Sequence, residues 1–424
     1  MRKPFIAVLI ASAFLSINAQ AVDLIQVYQQ ALTNDSQYAS ARAQLAAGQE
    51  RLPQGRANLL PVVNLSGANT RTDPTTPPGP QFSSHSYEVR LTQPVFRWAN
   101  WQAYEQSKLA VAIAEAQFAQ AQQDVVLRVA QAYFDVLAAQ DVLAFTQAQK
   151  TATTEQLASA KRNFEVGTQT ITDTNEAQAA YDLVVAQEFQ AMNTLEIRRT
   201  ALQQIIGQEP GALAPLKPGV SLAPPVPAKM DEWVAAAERQ NYNVQASQLN
   251  LESAKREISR NRAGHLPTLD LVATSGRSAA ATKSNGVSLQ YTVPLFAGFG
   301  VSSRVREAIA LEDKARADLE TTRRSATQTA RQSFLSVNSG LAQVRALEAA
   351  ETSSLSSLES NKLGYQVGVR INIDVLNAQR QLFSTRRDLA QARYETIMNG
   401  LRLKSAAGAL KESDLEPVNA LLAK

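Results

Sequence analysis

The sequence predicts a mainly α-helical chain with a small β part, organised as an internal duplication. Three observations predict it: very long stretches free of glycine and proline, short stretches that alternate with period two, and motifs that recur in the same order in both halves. Between Val95 and Val166 there is neither Gly nor Pro over 72 residues, and between Thr168 and Ile206 neither occurs over another 39. At about 1.5 Å per helical residue the first stretch would extend on the order of 100 Å, longer than an ordinary globular domain. Composition agrees, because only 6% of residues are aromatic while Ala and Gln, which suit long helices, are abundant.

The chain opens with MRKPFIAVLIASAFLSINAQA. Its basic start, the apolar run from Phe5 to Ile17 and the small-x-small Ala19-Gln20-Ala21 read as a signal peptide over residues 1–21, with the mature start near Val22. There is no Cys, which excludes disulfides, thiolate metal sites and a lipid anchor on an amino-terminal cysteine. After residue 22 no apolar run reaches the roughly 18 residues of a transmembrane helix, whereas a β-barrel, with its weaker alternating signal, stays open. The net charge of +4 falls by two to +2 once Arg2 and Lys3 are removed. With no Lys/Arg run interleaved with aromatics, nucleic acid is not an expected partner.

The duplication is written in paired motifs. FEVGTQTITDTNEAQ at 164–178 is answered by YQVGVRINIDVLNAQ at 365–379, GRANLLPVVNL at 55–65 by NRAGHLPTLDL at 261–271, and LTQPVF at 91–96 by YTVPLF at 291–296. Matched Pro, Gly and Asp positions define a first repeat at 22–210 and a second at 230–410. A proline-rich linker at 211–229 joins them and a short tail follows at 411–424.

Each repeat carries one predicted β-hairpin. In HSYEVRLTQPVF, Tyr87, Val89 and Leu91 alternate with polar residues, and in GVSLQYTVPLF, Val287, Leu289, Tyr291 and Val293 do the same. Their predecessors, LPVVNLSGANT and LPTLDLVATSG, have similar length, and the turn-rich DPTTPPGP and ATKSNG connect each pair. Such alternation suits a surface hairpin on a soluble domain or a membrane strand. In lipid, four strands leave open edges and cannot close within one chain, so the barrel reading requires an oligomer. Two chains would give eight strands and a filled interior; three give twelve and room for a passage, and cyclic symmetry favours the trimer.

Between the hairpins the periodicity is that of packed helices. Val125, Val129, Ala132, Val136, Ala139 and Leu143 step by four and three, and Phe334, Val337, Leu341 and Val344 repeat the pattern in the second half. Long antiparallel helical pairs are therefore expected, turning at Val166-Gly167-Thr168 and at Val367-Gly368-Val369, where Gly relieves the turn geometry.

No constellation points to catalysis, a cofactor or a metal. His85 and His265 are far apart, no serine lies in a G-x-S-x-G elbow, and Gly298-Phe299-Gly300 lacks a phosphate-loop frame. The reading is not an enzyme. From the residues alone two classes remain: an oligomeric, exported pore-former, or a periplasmic coiled-coil adaptor or scaffold without a pore, which shares the long helices but needs no alternating hairpins.

Taken together, the leader, the duplicated unit, the hairpins and stretches such as LIQVYQQAL, AYFDVL, DVLAFTQAQK and GHLPTLDL resemble the TolC family of outer-membrane channel proteins over essentially the whole mature chain. The resemblance implies a homotrimer whose twelve-stranded transmembrane β-barrel sits in outer-membrane lipid and continues as a helical coiled-coil tunnel through the periplasm. It further implies drug efflux or one-step (type I) protein secretion, working with a periplasmic adaptor protein and an inner-membrane RND or ABC transporter. By the same resemblance the two Val-Gly turns are hairpin tips at the periplasmic mouth, where the adaptor docks on Val166, Gly167, Thr168, Val367, Gly368 and Val369. A gate latch is expected from Thr172 and Asp173 on one hairpin and Tyr365 and Arg370 on the other. Asp374 would form an acidic ring in the pore. The family pattern has a second Asp one turn on, where this chain has Asn377, which halves the acidic count and weakens the case for multivalent-cation blockade.

Overall fold

A computed structural model of the chain describes residues 21–73, 75, 79–277 and 282–423. The signal-peptide reading therefore lies outside the described residues except for Ala21, and parts of both hairpin turns lie outside them too. In chain order the elements are α1 (Leu24–Asn34), α2 (Ser36–Gln49), α3 (Arg51–Ala57), β1 (Val62–Thr72), β2 (Phe82–Phe96), α4 (Trp98–Glu165) and α5 (Ile171–Ile206). The second half gives α6 (Met230–Gln240), α7 (Tyr242–Arg262), β3 (Thr268–Arg277), β4 (Lys283–Thr292), α8 (Gly300–Gln366), α9 (Asn372–Ala406) and a terminal turn of helix, α10 (Leu415–Asn419). The duplication is visible in the element order. No described helix is long and apolar enough to cross a membrane.

The two gaps without Gly or Pro become α4 and α5, of 68 and 36 residues. The 67-residue α8 matches α4 in length although it contains Gly340 and Gly364, and α4 and α8 are each about 100 Å long. Helices of this length are stabilised along their sides, and each packs in two halves. The first part of α4 lies against α2, α3 and α7, where the Gln106 amide donates to the Ser253 carbonyl and to Glu257. The later part pairs with α5, held by apolar layers and by Lys150–Glu188 and Arg198–Asp135 ion pairs. In the same way α8 packs on α6, α7 and then α9.

The largest core sits midway along α4. Val125, Val129, Tyr133, Phe134, Val136 and Leu137 are buried there against α1, α5 and α9, with Ala132 and Leu143 packed at the margin. The interhelical stripe read from the sequence is thus the centre of this waist. The linker is pinned to the waist at both of its isolated bridges: Val22 pairs with Leu213, and Leu216 pairs with Leu422. Tyr133, wholly buried, donates its hydroxyl to the Ala214 carbonyl at 2.8 Å.

The two hairpins join edge to edge in one antiparallel sheet of order β1-β2-β3-β4. Directly opposed residues share a face in such a sheet, so the register reveals its chemistry. Val63 faces Leu91, Leu91 faces Ala273 and Ala273 faces Val287; Leu65 faces Val89, and Leu271 faces Leu289. Val63, Leu65, Val89, Val287, Leu289 and Tyr291 are exposed. The opposite face carries Asn64, Ser66, Glu88, Arg90, Thr274, Ser288 and Gln290. A soluble sheet buries its apolar face on a core; this one leaves it bare and polarises the other. Val293 fits the alternation yet lies beyond β4, because Pro294 has no N–H to continue the ladder. Pro94 is tolerated inside β2 at a register shift. Immediately beyond, Arg97 holds the carboxylate of Asp270 in a bidentate pair at 2.8 and 2.6 Å, riveting the base of the sheet to the start of α4.

At the waist, burial pushes the Asp141 carboxyl above the usual carboxylate range, although the Tyr394 hydroxyl, donating at 2.7 Å, and the Arg393 charge oppose the shift. The folded state therefore holds the extra proton between the ordinary value, about 4, and the raised one. Over that window Asp141 lowers stability as pH rises. Asp141→Asn keeps an oxygen for Tyr394 without the charge, so the melting temperature followed by helical circular dichroism should decline less steeply over this window than in the parent. Equal slopes would assign the decline to other groups.

Candidate functional site

The ends of the α4/α5 and α8/α9 hairpins are built alike. Backbone N–H groups of Val166, Gly167 and Thr168 donate to the carbonyls of Arg162, Phe164 and Asn163, and those of Val367, Gly368 and Val369 to Leu363, Tyr365 and Gly364. Gly167 and Gly368 take φ of 75° and 79°, a left-handed conformation that costs a side-chain-bearing residue free energy. The turns project apolar groups into solvent: Val166 is 72% exposed and Val369 is 76% exposed. Valines bare to this degree at the far end of a long helical pair form a contact surface without a partner in the chain.

Just behind the turns the two copies diverge. In the first, Thr170 is the N-cap of α5 in a reciprocal capping box: Asp173 accepts from the Thr170 N–H and hydroxyl at 3.0 and 2.7 Å, and its own N–H donates to Thr170 at 3.3 Å. In the second, the matching N-cap is Ile371, which has no side-chain cap. Asp374, the counterpart of Asp173, is thereby released from capping and lies 3.7 Å from Arg370 in the turn before α9. The stem of Arg370 runs over Gly364, where an added Cβ would meet Arg370 Cγ at 2.7 Å. One turn on, Asn377 accepts from Arg380.

Of the four latch positions, the chain brings Tyr365 into contact across the hairpins, and not with Asp173. Its hydroxyl accepts from Gln169 at 2.6 Å and from Asn163 at 3.4 Å. Thr172 is exposed, and Arg370 reaches only Asp374. Sequence reasoning missed Gln169 and Asn163, along with Gln156 and Asn372, which form a second cross-hairpin contact. A signal for two of these ties was present: the repeat aligns Phe164 with Tyr365 and Ile171 with Asn372, so the polar members stand out as breaks in an otherwise apolar correspondence. Behind them Leu376 of α9 packs on Leu157, Ala160 and Ala177 of the first hairpin, and Leu358, Val375 and Leu382 form the core of the second.

A bare-faced sheet, two helices of about 100 Å and a polar-clasped pair of tips define a class: the subunit of an outer-membrane channel with a periplasmic helical extension. The chain belongs to the outer membrane efflux protein family, whose family model matches residues 27–208 and again 233–409, one match in each half. It is 34% identical over 440 residues to outer membrane protein TolC of Escherichia coli strain K12, an alignment spanning 99% of this chain and 89% of that protein. It is 31% identical over 439 residues to the proteases secretion protein PrtF of Dickeya chrysanthemi, spanning 98% and 94%. Among solved structures the fold matches the outer membrane protein VceC from Vibrio cholerae with a TM-score of 0.80 at 20% identity, covering 91% of this chain and 96% of that one. The family is one of channels, and the chain is an outer-membrane efflux and secretion channel protein that reaches into the periplasm.

The capping box makes a local prediction. Thr170→Ala removes the cap and frees Asp173, at a cost of about 1 kcal/mol to the first turn of α5. The amides at positions 170 and 173, which the box bonds, should exchange hydrogen several-fold faster while those at the waist are unchanged; unchanged exchange at the tip would show that the box does not hold the turn.

Proposed function

We propose that three copies close a twelve-stranded barrel, β4 of each pairing with β1 of the next, and that their helices continue as one tunnel that carries solutes and secreted polypeptides out of the periplasm. The observation that carries this reading is the sheet with one apolar face, one polar face and two free edges. Apolar side chains then face lipid, polar ones line the passage, and no backbone group is left unpaired in hydrocarbon. On this reading residues 22–210 and 230–410 are equivalent units, each giving one β-hairpin and one helical hairpin, with 211–229 and 411–424 closing the waist. An inner-membrane transporter of the RND or ABC type supplies the cargo, and a periplasmic adaptor docks on the exposed tips through Val166, Gly167, Thr168, Val367, Gly368 and Val369. The secretion role is supported by the name of the Dickeya relative. No catalytic step is assigned to the chain.

The tips act as the gate. Tyr365 ties the two hairpins of one copy through Gln169 and Asn163, whereas exposed Thr172, the Asp173 carboxylate oxygen that Thr170 leaves open, and Arg370, whose side chain pairs within its own hairpin with Asp374, can meet a neighbouring copy. One charge-assisted hydrogen bond contributes about 1.5 to 3 kcal/mol and an exposed ion pair often under about 1 kcal/mol, so a few such links hold a mouth that a docking partner can still open. Asp374 forms the acidic ring, tempered by Arg370 beside it and by Arg380 on Asn377.

Purified protein should show the mass of three chains in native mass measurement. Tyr365→Phe combined with Arg370→Ser should raise single-channel conductance in planar bilayers several-fold at normal trimer yield; parental conductance would remove these residues from the gate. Asp374→Ala should leave the trimer intact and shift the reversal potential in a salt gradient toward lower cation preference. An unshifted potential would place Asp374 away from the narrowest point.

A further inference from the structure

The second contact between the hairpins is made by a residue outside the four latch positions. Asn372, at the first position of α9, is fully buried at 0% exposure. Its amide nitrogen donates to the backbone carbonyl of Asp173 in the first turn of α5 at 3.0 Å, and its Oδ1 accepts from the Gln156 amide on α4 at 2.5 Å. One side chain of the second hairpin therefore grips both helices of the first. Its counterpart in the other repeat is Ile171, an exposed isoleucine with no such role.

The choice of an amide here has a physical consequence. A buried amide is costly unless both its ends are hydrogen-bonded, so Asn372 favours one relative placement of three helices over slipped alternatives. When the hairpins part, water takes over its bonds, so Asn372 itself adds no newly wetted apolar surface to the cost of separation. An aliphatic residue would resist separation through its newly wetted surface while tolerating sliding. Asn372 thus combines fixed register with ready release, the two properties a gate needs.

We propose that Asn372 is a positioning residue of the gate, acting through Gln156 and the Asp173 carbonyl to clasp the two hairpins of each protomer in the closed arrangement. The assignment rests on the tip gate described under the proposed function.

The test compares bilayer conductance of trimers carrying Asn372→Ala, Gln156→Ala, both together, and Asn372→Ile, alongside the Tyr365→Phe/Arg370→Ser variant. At roughly one ordinary hydrogen bond lost, Gln156→Ala should raise the open-to-closed ratio about fivefold per protomer, and Asn372→Ala, which also loses the bond to the Asp173 carbonyl, should raise it further. The double variant should do little more than Asn372→Ala alone, since the Gln156 bond is already lost there, and Asn372→Ile, which refills the space, should not restore the parental level. Full restoration by Ile would reduce the residue to packing, and multiplying effects of the two alanines would uncouple it from Gln156; either result overturns the clasp. Parental conductance in Asn372→Ala with a raised latch variant overturns the role of Asn372 alone, whereas parental conductance in both overturns the tip gate and this assignment with it. Should the alanine variants fail to assemble, the chain's lack of Cys offers a second route. Gln156→Cys/Asn372→Cys joined by a short thiol-bridging reagent should hold conductance below that of the unbridged pair, and equal conductance before and after bridging overturns the proposal.

Discussion

Inside hydrocarbon a backbone N–H or C=O has no water to turn to, and a four-stranded sheet carries a full row of such groups on each outer edge. That constraint organises everything else in the molecule. It makes the single chain incomplete and requires copies to complete the ladder from β4 to β1. It also explains why the apolar side chains of the strands are left exposed and not buried on a core. The bidentate Arg97–Asp270 pair matters in this setting because it fixes the strand direction relative to α4 at the point where the sheet gives way to helix.

The helices answer a different problem. A helix of 68 residues has no single core that can bury its length, so its stability is distributed over small layers: Leu157 and Ala160 toward the tip, and its two buried aromatics, Tyr133 and Phe134, at the waist. The waist gathers α1, the linker and the C-terminal segment around Tyr133 and Phe134, joining the two repeats where both hairpins diverge. Duplication then supplies two of everything, and small departures between the copies supply function. Thr170 caps α5 and occupies Asp173, while Ile371 leaves Asp374 out of any cap and facing Arg370.

Much of this was legible in the sequence because it depends on local rules. Absence of Gly and Pro delimited α4 and α5 to within a few residues, period-two alternation located the strands, and Val-Gly marked both turns. What stayed hidden depends on chain segments distant in sequence. Pairing of β2 with β3 across the repeats follows from the sheet closing on itself, and nothing in either hairpin names its neighbour. The linker read as a spacer, yet Leu213 and Leu216 are bridged to Val22 and Leu422, residues some four hundred positions apart. The partners of Tyr365 within the chain stayed hidden for an electrostatic reason: an oxygen of Asp173 is engaged by Thr170, and the neutral amides of Gln169 and Asn163 donate to the phenol hydroxyl.

The separation between the waist and the tips has a mechanical meaning. From Leu143, at the edge of the central core, to Glu165, at the end of α4, the helix is a lever of roughly 33 Å. A swing of about 5° at the waist displaces its free end by about 3 Å, close to the whole length of a hydrogen bond. The same swing would barely disturb a bond placed two turns from the fulcrum. Polar ties set at the far end of such an arm resist until a small angle is reached and then fail together, so the geometry converts a gradual tilt into a nearly all-or-none release.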